Sequence, residues 1–228
     1  MSYPGLAQRV AEIRARIAEQ QSRAGWSHPV SIIAVTKTHP QEAIPAAVAA
    51  GLTAVGENRV QEALEKQAAL PDVAVEWHLI GTLQRNKAKL AVNRFALIHS
   101  VDSAELAGDL QRRAASGTRQ AVLVQVNCSG ETQKGGVEPE ALPALLDALA
   151  AFDRLAVRGL MTMAALTDDH ELQRVAFRRL RTLRDEAERR GATLPELSMG
   201  MSGDYLVAIA EGATMVRLGT LLFGVRGT

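Results

Sequence analysis

Disulfides, charge asymmetry and long apolar runs are all missing from this chain, and each absence removes a class of function. One cysteine, Cys128, among 228 residues excludes an intramolecular disulfide framework. With no basic-then-apolar pattern at the N-terminus, a reducing cytoplasm is the expected compartment. A formal charge of +1 from nearly equal basic and acidic totals leaves no electrostatic footprint for nucleic acid or membrane, although small anionic ligands stay open. The longest nearly apolar stretch, Ala43 to Val55, is broken by Pro45 and Gly51 and is too short to span a bilayer. Five histidines, His28, His39, His78, His99 and His170, show no ligand spacing, so no metal site is expected. Lysine is scarce as well, with five against twenty-one arginines.

What is present is a core and a period. A hydrophobic content of 47% suits a substantial core, and no linker or repeat divides the chain, so residues 1–228 read as one domain. Leu6, Val10, Ile13 and Ile17 are spaced three and four apart, which predicts an amphipathic helix over Leu6 to Arg23. Short apolar runs then alternate with helical segments. Eight candidate strands lie near Ser31–Lys37, Ala54–Gly56, Glu76–Gly81, Ala96–Ser100, Ala121–Asn127, Ala156–Met161, Leu197–Met199 and Met215–Gly219. Helical stretches such as Val60–Leu70, Ala104–Ala115, Pro139–Phe152 and Asp169–Arg190 separate them. The arginine-rich last of these reads as an outer helix with Leu172, Val175, Leu180, Leu183 and Ala187 on its apolar side. The pattern predicts an α/β fold, a single (β/α)8 TIM-type barrel in which the N-terminal helix fills the place left beside strand one. A doubly wound open sheet is the competing architecture.

Lys37 ends the apolar run Ser31 to Thr36 instead of lying on a solvated helix. An amine in a partly desolvated place loses preference for its charged form and becomes available to a carbonyl, whereas most strand-end lysines are snorkelled or ion-paired. In a barrel the C-terminal ends of the strands converge on one mouth, and loops after strands seven and eight often hold phosphate. Here those loops are Ser198-Met199-Gly200-Met201-Ser202-Gly203-Asp204 and Gly219-Thr220, small residues whose amides and hydroxyls can face an anion. Strand eight closes against strand one, so a phosphate anchor and an amine become neighbours. Pyridoxal 5'-phosphate carries both a phosphate and an aldehyde. Arg217, two residues before Gly219, shares its strand face and can point to the pyridine nitrogen or pair with an inward carboxylate.

Val35-Thr36-Lys37-Thr38, Gly56-Glu57-Asn58-Arg59-Val60-Gln61-Glu62, Trp77 to Lys87, Ser198 to Ser202 and Met215 to Thr220 together resemble the pyridoxal phosphate homeostasis protein family. The resemblance spans nearly the whole chain. It implies a fold like the N-terminal barrel of alanine racemase, pyridoxal phosphate held as an internal aldimine on Lys37, and a role in vitamin B6 supply. It further implies Asn58 beside the cofactor ring, Arg217 at the ring nitrogen, and Ser198, Ser202, Gly219 and Thr220 around the phosphate. Thr36 stands where serine is common in the family and Arg59 where an aromatic residue is common.

An arginine at the pyridine nitrogen disfavours protonation there and weakens the ring as an electron sink. Racemisation also needs a second acid or base, and neither tyrosine, Tyr3 or Tyr205, is well placed in sequence to serve. The expected function is therefore a carrier that buffers pyridoxal phosphate and passes it to apoenzymes, expected as a monomer with a dimer as the alternative. A racemase-like amino-acid enzyme and a cofactor-free class I aldolase using Lys37 are the other readings.

Overall fold

A computed structural model describes residues 3–224. Eight parallel strands close into a barrel in sequence order: β1 (Ser31–Val35), β2 (Ala54–Glu57), β3 (Glu76–Leu79), β4 (Leu97–Val101), β5 (Gln120–Gln125), β6 (Leu155–Met161), β7 (Glu196–Met201) and β8 (Met215–Leu218). Around it run α1 (Leu6–Ala24), α2 (Ala43–Ala49), α3 (Val60–Ala69), α4 (Ala88–Ala91), α5 (Ala104–Arg113), α6 (Leu142–Ala150), α7 (His170–Arg189), α8 (Tyr205–Ala210) and α9 (Thr220–Phe223). The barrel expectation holds and the open sheet is excluded, because β8 pairs with β1 from Ser31↔Met215 to Ala34↔Leu218. The N-terminal helix takes the place expected for it. Its buried stripe of Leu6, Val10, Ile13 and Ile17 packs α1 against α8, α9 and α2.

Local chemistry fixes the starts of two helices. Pro45 lies in the first turn of α2, where its missing N–H would have had no helical partner in any case. In α7, Asp169 caps the first turn by accepting from the N–H of Glu171 (2.9 Å) and Leu172 (3.3 Å). The buried stripe of this helix is Gln173, Ala176, Phe177 and Leu180, so Leu172 and Val175, expected on the apolar side, are exposed. Its arginines have a structural use. Arg174, Arg178 and Arg181 converge on the buried carboxylate of Glu211 at 3.4, 3.0 and 3.2 Å, joining α7 to the end of α8.

Strand alternation divides the apolar residues into two cores. Ile32, Ala34, Val55, Ile98, Val122, Leu160, Leu197 and Val216 face the helices, while Leu97, Leu123, Met161 and Met215 form a separate cluster inside the barrel. A bulge keeps β6 in phase with this arrangement. The β5–β6 register runs from Val122↔Val157 to Leu123↔Gly159, leaving Arg158 as the extra residue and turning Met161 inward. Gly159 is required at that step. A methyl group built there would lie 2.6 Å from the Glu196 carbonyl carbon on β7, inside any van der Waals contact.

Candidate functional site

The C-terminal ends of β1, β7 and β8 bring most of the expected site residues to one region. β1 stops at Val35, two residues short of the predicted end. Thr36 still donates its N–H to the Gly56 carbonyl (3.1 Å), but the His39 N–H turns back to the Thr36 carbonyl (3.1 Å), and Thr38 adopts φ 62. Lys37 therefore sits half-buried in a turn at the mouth and not on the strand itself. Ile32 and Ala34 face the helices, so Ile33 and Val35 carry the inward phase of the strand that leads to Lys37.

Arg217 is wholly inside the barrel. Its Nη1 donates to the Ser198 carbonyl (2.8 Å) and Oγ (2.7 Å), and its Nη2 to the Thr162 carbonyl (2.9 Å). No carboxylate among the described residues forms an ion pair with it, so the ion-paired alternative is replaced by a neutral cradle. Burial pulls its pKa down to about 10, and the nearby buried Asp204 opposes that shift. The guanidinium stays protonated at neutral pH.

Ser198 belongs to this inner group and not to the phosphate-side loop. Its Oγ also lies 2.9 Å from His99 Nδ1, and His99 Nε2 lies 2.9 Å from His78 Nδ1. β7 and β4 are not neighbours in the sheet, so the contact between Ser198 and His99 crosses the barrel interior. Ser202, by contrast, joins the two loops expected to form a cradle. Its Oγ accepts from the N–H of Gly219 (3.2 Å) and Leu221 (3.4 Å), with Thr220 exposed between them. Asn58 is half-buried just past β2, and its backbone leaves no room for a side chain at residue 81. A methyl group on Gly81 would lie 2.8 Å from the Asn58 Cα.

The inward histidines were the residues least legible in sequence. His78 lies within a predicted strand, yet nothing in local spacing couples it to His99 or either to Arg217. Burial lowers the pKa of both, His78 to about 4 against the pull of Glu76, and His99 well below its ordinary value. Between the ordinary value near 6.5 and about 4, an unfolded chain binds a proton that the folded His78 refuses, so stability falls as pH falls. The loss belongs to the hydrogen-bonded His78–His99 pair and grows as pH falls toward 4. Glu57 and Asp204, raised by burial, act in the opposite sense. Urea unfolding of wild type and His78→Gln at pH 7 and pH 4.5 isolates the histidine, and the variant is expected to show a smaller loss on acidification.

The remaining candidates separate clearly. Tyr205 is buried on α8 with Arg16 of α1 over its ring, outside the barrel. Tyr3 packs edge-on against Phe223 (5.2 Å) and His39 (6.3 Å), next to the turn that carries Lys37, which its position near the chain terminus did not suggest. Cys128 is buried, and desolvation pushes its thiol up to about 11, which favours the protonated, poorly nucleophilic form. Among the described residues no helix is long and apolar enough to cross a membrane.

Known proteins share both this barrel and its sequence. The alanine racemase N-terminal domain family matches residues 9–227. A pyridoxal phosphate homeostasis protein of Aquifex aeolicus is 46% identical over 96% of this chain and 97% of its own. One of Pseudomonas aeruginosa is 44% identical over 97% and 96%. The structure of PipY of Synechococcus elongatus with PLP bound superposes with a TM-score of 0.84 at 41% identity, covering 96% of this chain and 100% of the other. An alanine racemase of Clostridium difficile, at 16% identity and a TM-score of 0.71 over 93% of this chain and 55% of its own, shares the fold. This chain therefore belongs to the alanine racemase N-terminal domain family, among the relatives called pyridoxal phosphate homeostasis proteins.

Proposed function

We propose that this chain binds pyridoxal 5'-phosphate covalently through Lys37 and serves its homeostasis, holding the reactive aldehyde and releasing it to apoenzymes in the cytoplasm. The observation that carries this reading is Arg217, buried without a carboxylate partner on the strand beside the one that leads to Lys37. Bound at this mouth, the cofactor supplies an aldehyde carbon for reversible condensation with a primary amine. Lys37 is the amine, and Asn58 borders the ring. Gly219 borders the phosphate, and because the Gly219 and Leu221 amides donate to the Ser202 oxygen, the hydroxyl hydrogens of Ser202 and Thr220 are the donors left for it.

Ser198 acts through Arg217. Three of the five guanidinium N–H groups are committed to Ser198 and Thr162, which fixes its plane and leaves the rest for a ring nitrogen. A protonated arginine there donates a hydrogen bond and does not give up its proton, so the ring acquires little positive charge. That favours storage over carbanion chemistry. The location of Tyr205 on α8 removes one possible second base from the mouth.

Purified protein mixed with pyridoxal phosphate is expected to keep a visible absorbance band through gel filtration and to elute as a monomer. It is expected to show no sustained racemisation, decarboxylation or transamination in a screen of amino acids. Sustained turnover would reject the carrier, and loss of the band on filtration would reject covalent binding.

A further inference from the structure

The residues that flank Lys37 are held by a buried charged cluster behind the mouth, on β2 and α3. Lys66, with its side chain 8% exposed, donates to the Thr36 carbonyl, Glu57 Oε1 and Glu62 Oε1, all at 2.8 Å. Thr36 adds a bond of its own, from Oγ1 to Glu57 Oε1 at 2.6 Å. On the other side of Lys37, the Thr38 N–H donates to Glu62 Oε1 at 2.6 Å. We propose that Glu62 and Lys66 are positioning residues for Lys37, clamping the peptide on both sides of it to α3 so that its amine meets the cofactor in one orientation.

Three features make this more than a surface ion pair. The chain at Thr38 has φ 62, a conformation that a β-branched residue adopts only when something holds it, and the Glu62 carboxylate supplies that hold. Lys66 offers an ammonium only three hydrogens, and three acceptors take them all. A second lysine so near the mouth is thus excluded as the carbonyl-reactive amine, and its charge is spent on the loop. Glu57 is fully buried, so its pairing with Lys66 is the condition for keeping that carboxylate charged. Burial alone raises its pKa and Lys66 opposes the shift.

The inference rests on Lys37 as the binding amine, but part of its test does not. In the cofactor-free protein, Glu62→Ala removes the acceptor of the Thr38 amide, and hydrogen exchange of that amide should speed up about tenfold or more. Uptake of pyridoxal phosphate, followed by its visible band, should slow about tenfold, as expected when a reacting group loses its orientation. Glu62→Gln keeps an oxygen for both the Thr38 amide and Lys66 and should restore both quantities. The charge-balanced double variant Lys66→Met with Glu57→Gln removes the tether to Thr36 without leaving a lone buried charge. It should slow uptake in the same way and serves if Glu62→Ala does not fold. Unchanged exchange and uptake in Glu62→Ala, or failure of Glu62→Gln to restore them, would overturn the clamp. Lys37→Ala run in parallel separates the two claims. Retention of the band there sinks the lysine assignment, while the exchange of the Thr38 amide still judges the clamp.

Discussion

Lys37→Ala is expected to fold as the wild type does and to lose retained pyridoxal phosphate, with apparent affinity down at least about a hundredfold. The magnitude follows from what is removed: a covalent attachment made effectively unimolecular by noncovalent grip on the rest of the ligand, an advantage that can reach many orders of magnitude. Stability should change little. Lys37 is half-buried in a turn and lies outside both apolar cores, and substitutions away from the core usually stay within about 0.5 kcal/mol. Residual weak binding through Ser202, Gly219, Thr220 and Arg217 would remain and should compete with inorganic phosphate. Borohydride reduction of the loaded wild type followed by peptide mapping checks the same point chemically. A label on Lys66, Lys87, Lys89 or Lys134 in place of Lys37 would refute the assignment.

Gly159→Ala is expected to be the most damaging single methyl group in the barrel. The nearest obstacle is the main chain of Glu196 on the adjoining strand, and backbone cannot rotate aside as a side chain can. Relief would require β6 and β7 to separate or the bulge at Arg158 to slip, and a slip would turn Met161 from the interior toward the helices. A destabilisation of about 4 kcal/mol or more is expected, which for a chain of this size lowers the melting temperature by about 10 °C or more. Thermal unfolding against Gly203→Ala provides the control, since Gly203 is exposed and a methyl group there meets nothing within 4 Å. The register also positions the Thr162 carbonyl under Arg217, so any Gly159→Ala protein that does fold should bind the cofactor less well. A melting temperature within 2 °C of wild type, checked by calorimetry, would show that the strands absorb the clash.

The barrel and its mouth were readable because the signals behind them are local. The strands alternate, α1 repeats at three and four, and small residues gather after β7 and β8. Each pattern reflects a side chain's relation to neighbours a few positions away, and a closed βα order then dictates that β8 meets β1. That closure sets the strand leading to Lys37 beside the one that carries Arg217, and Ser202 bridges to Gly219 from the neighbouring loop. The boundaries were less legible. β1 ends at Val35 because the chain turns at Thr38, and no feature of Thr36-Lys37-Thr38 itself demands a left-handed residue. The buried side of α7 departs from its apolar pattern, since Leu172 and Val175 face away from the stripe that Phe177 and Leu180 define.

From its residues alone this protein was determined as an eight-stranded barrel with a lysine and two small-residue loops at one end, since hydrophobic period and strand order are properties of the chain. Only the tertiary structure decided that Ser198 serves Arg217 and His99 from inside the barrel, that one bulge sets the phase of β6, and that Lys66 and Glu62 grip both neighbours of Lys37. The physical reason is distance along the chain. His99 and Ser198 stand 99 residues apart, and a hydrogen bond between them exists only once closure sets β4 and β7 facing one another across the interior.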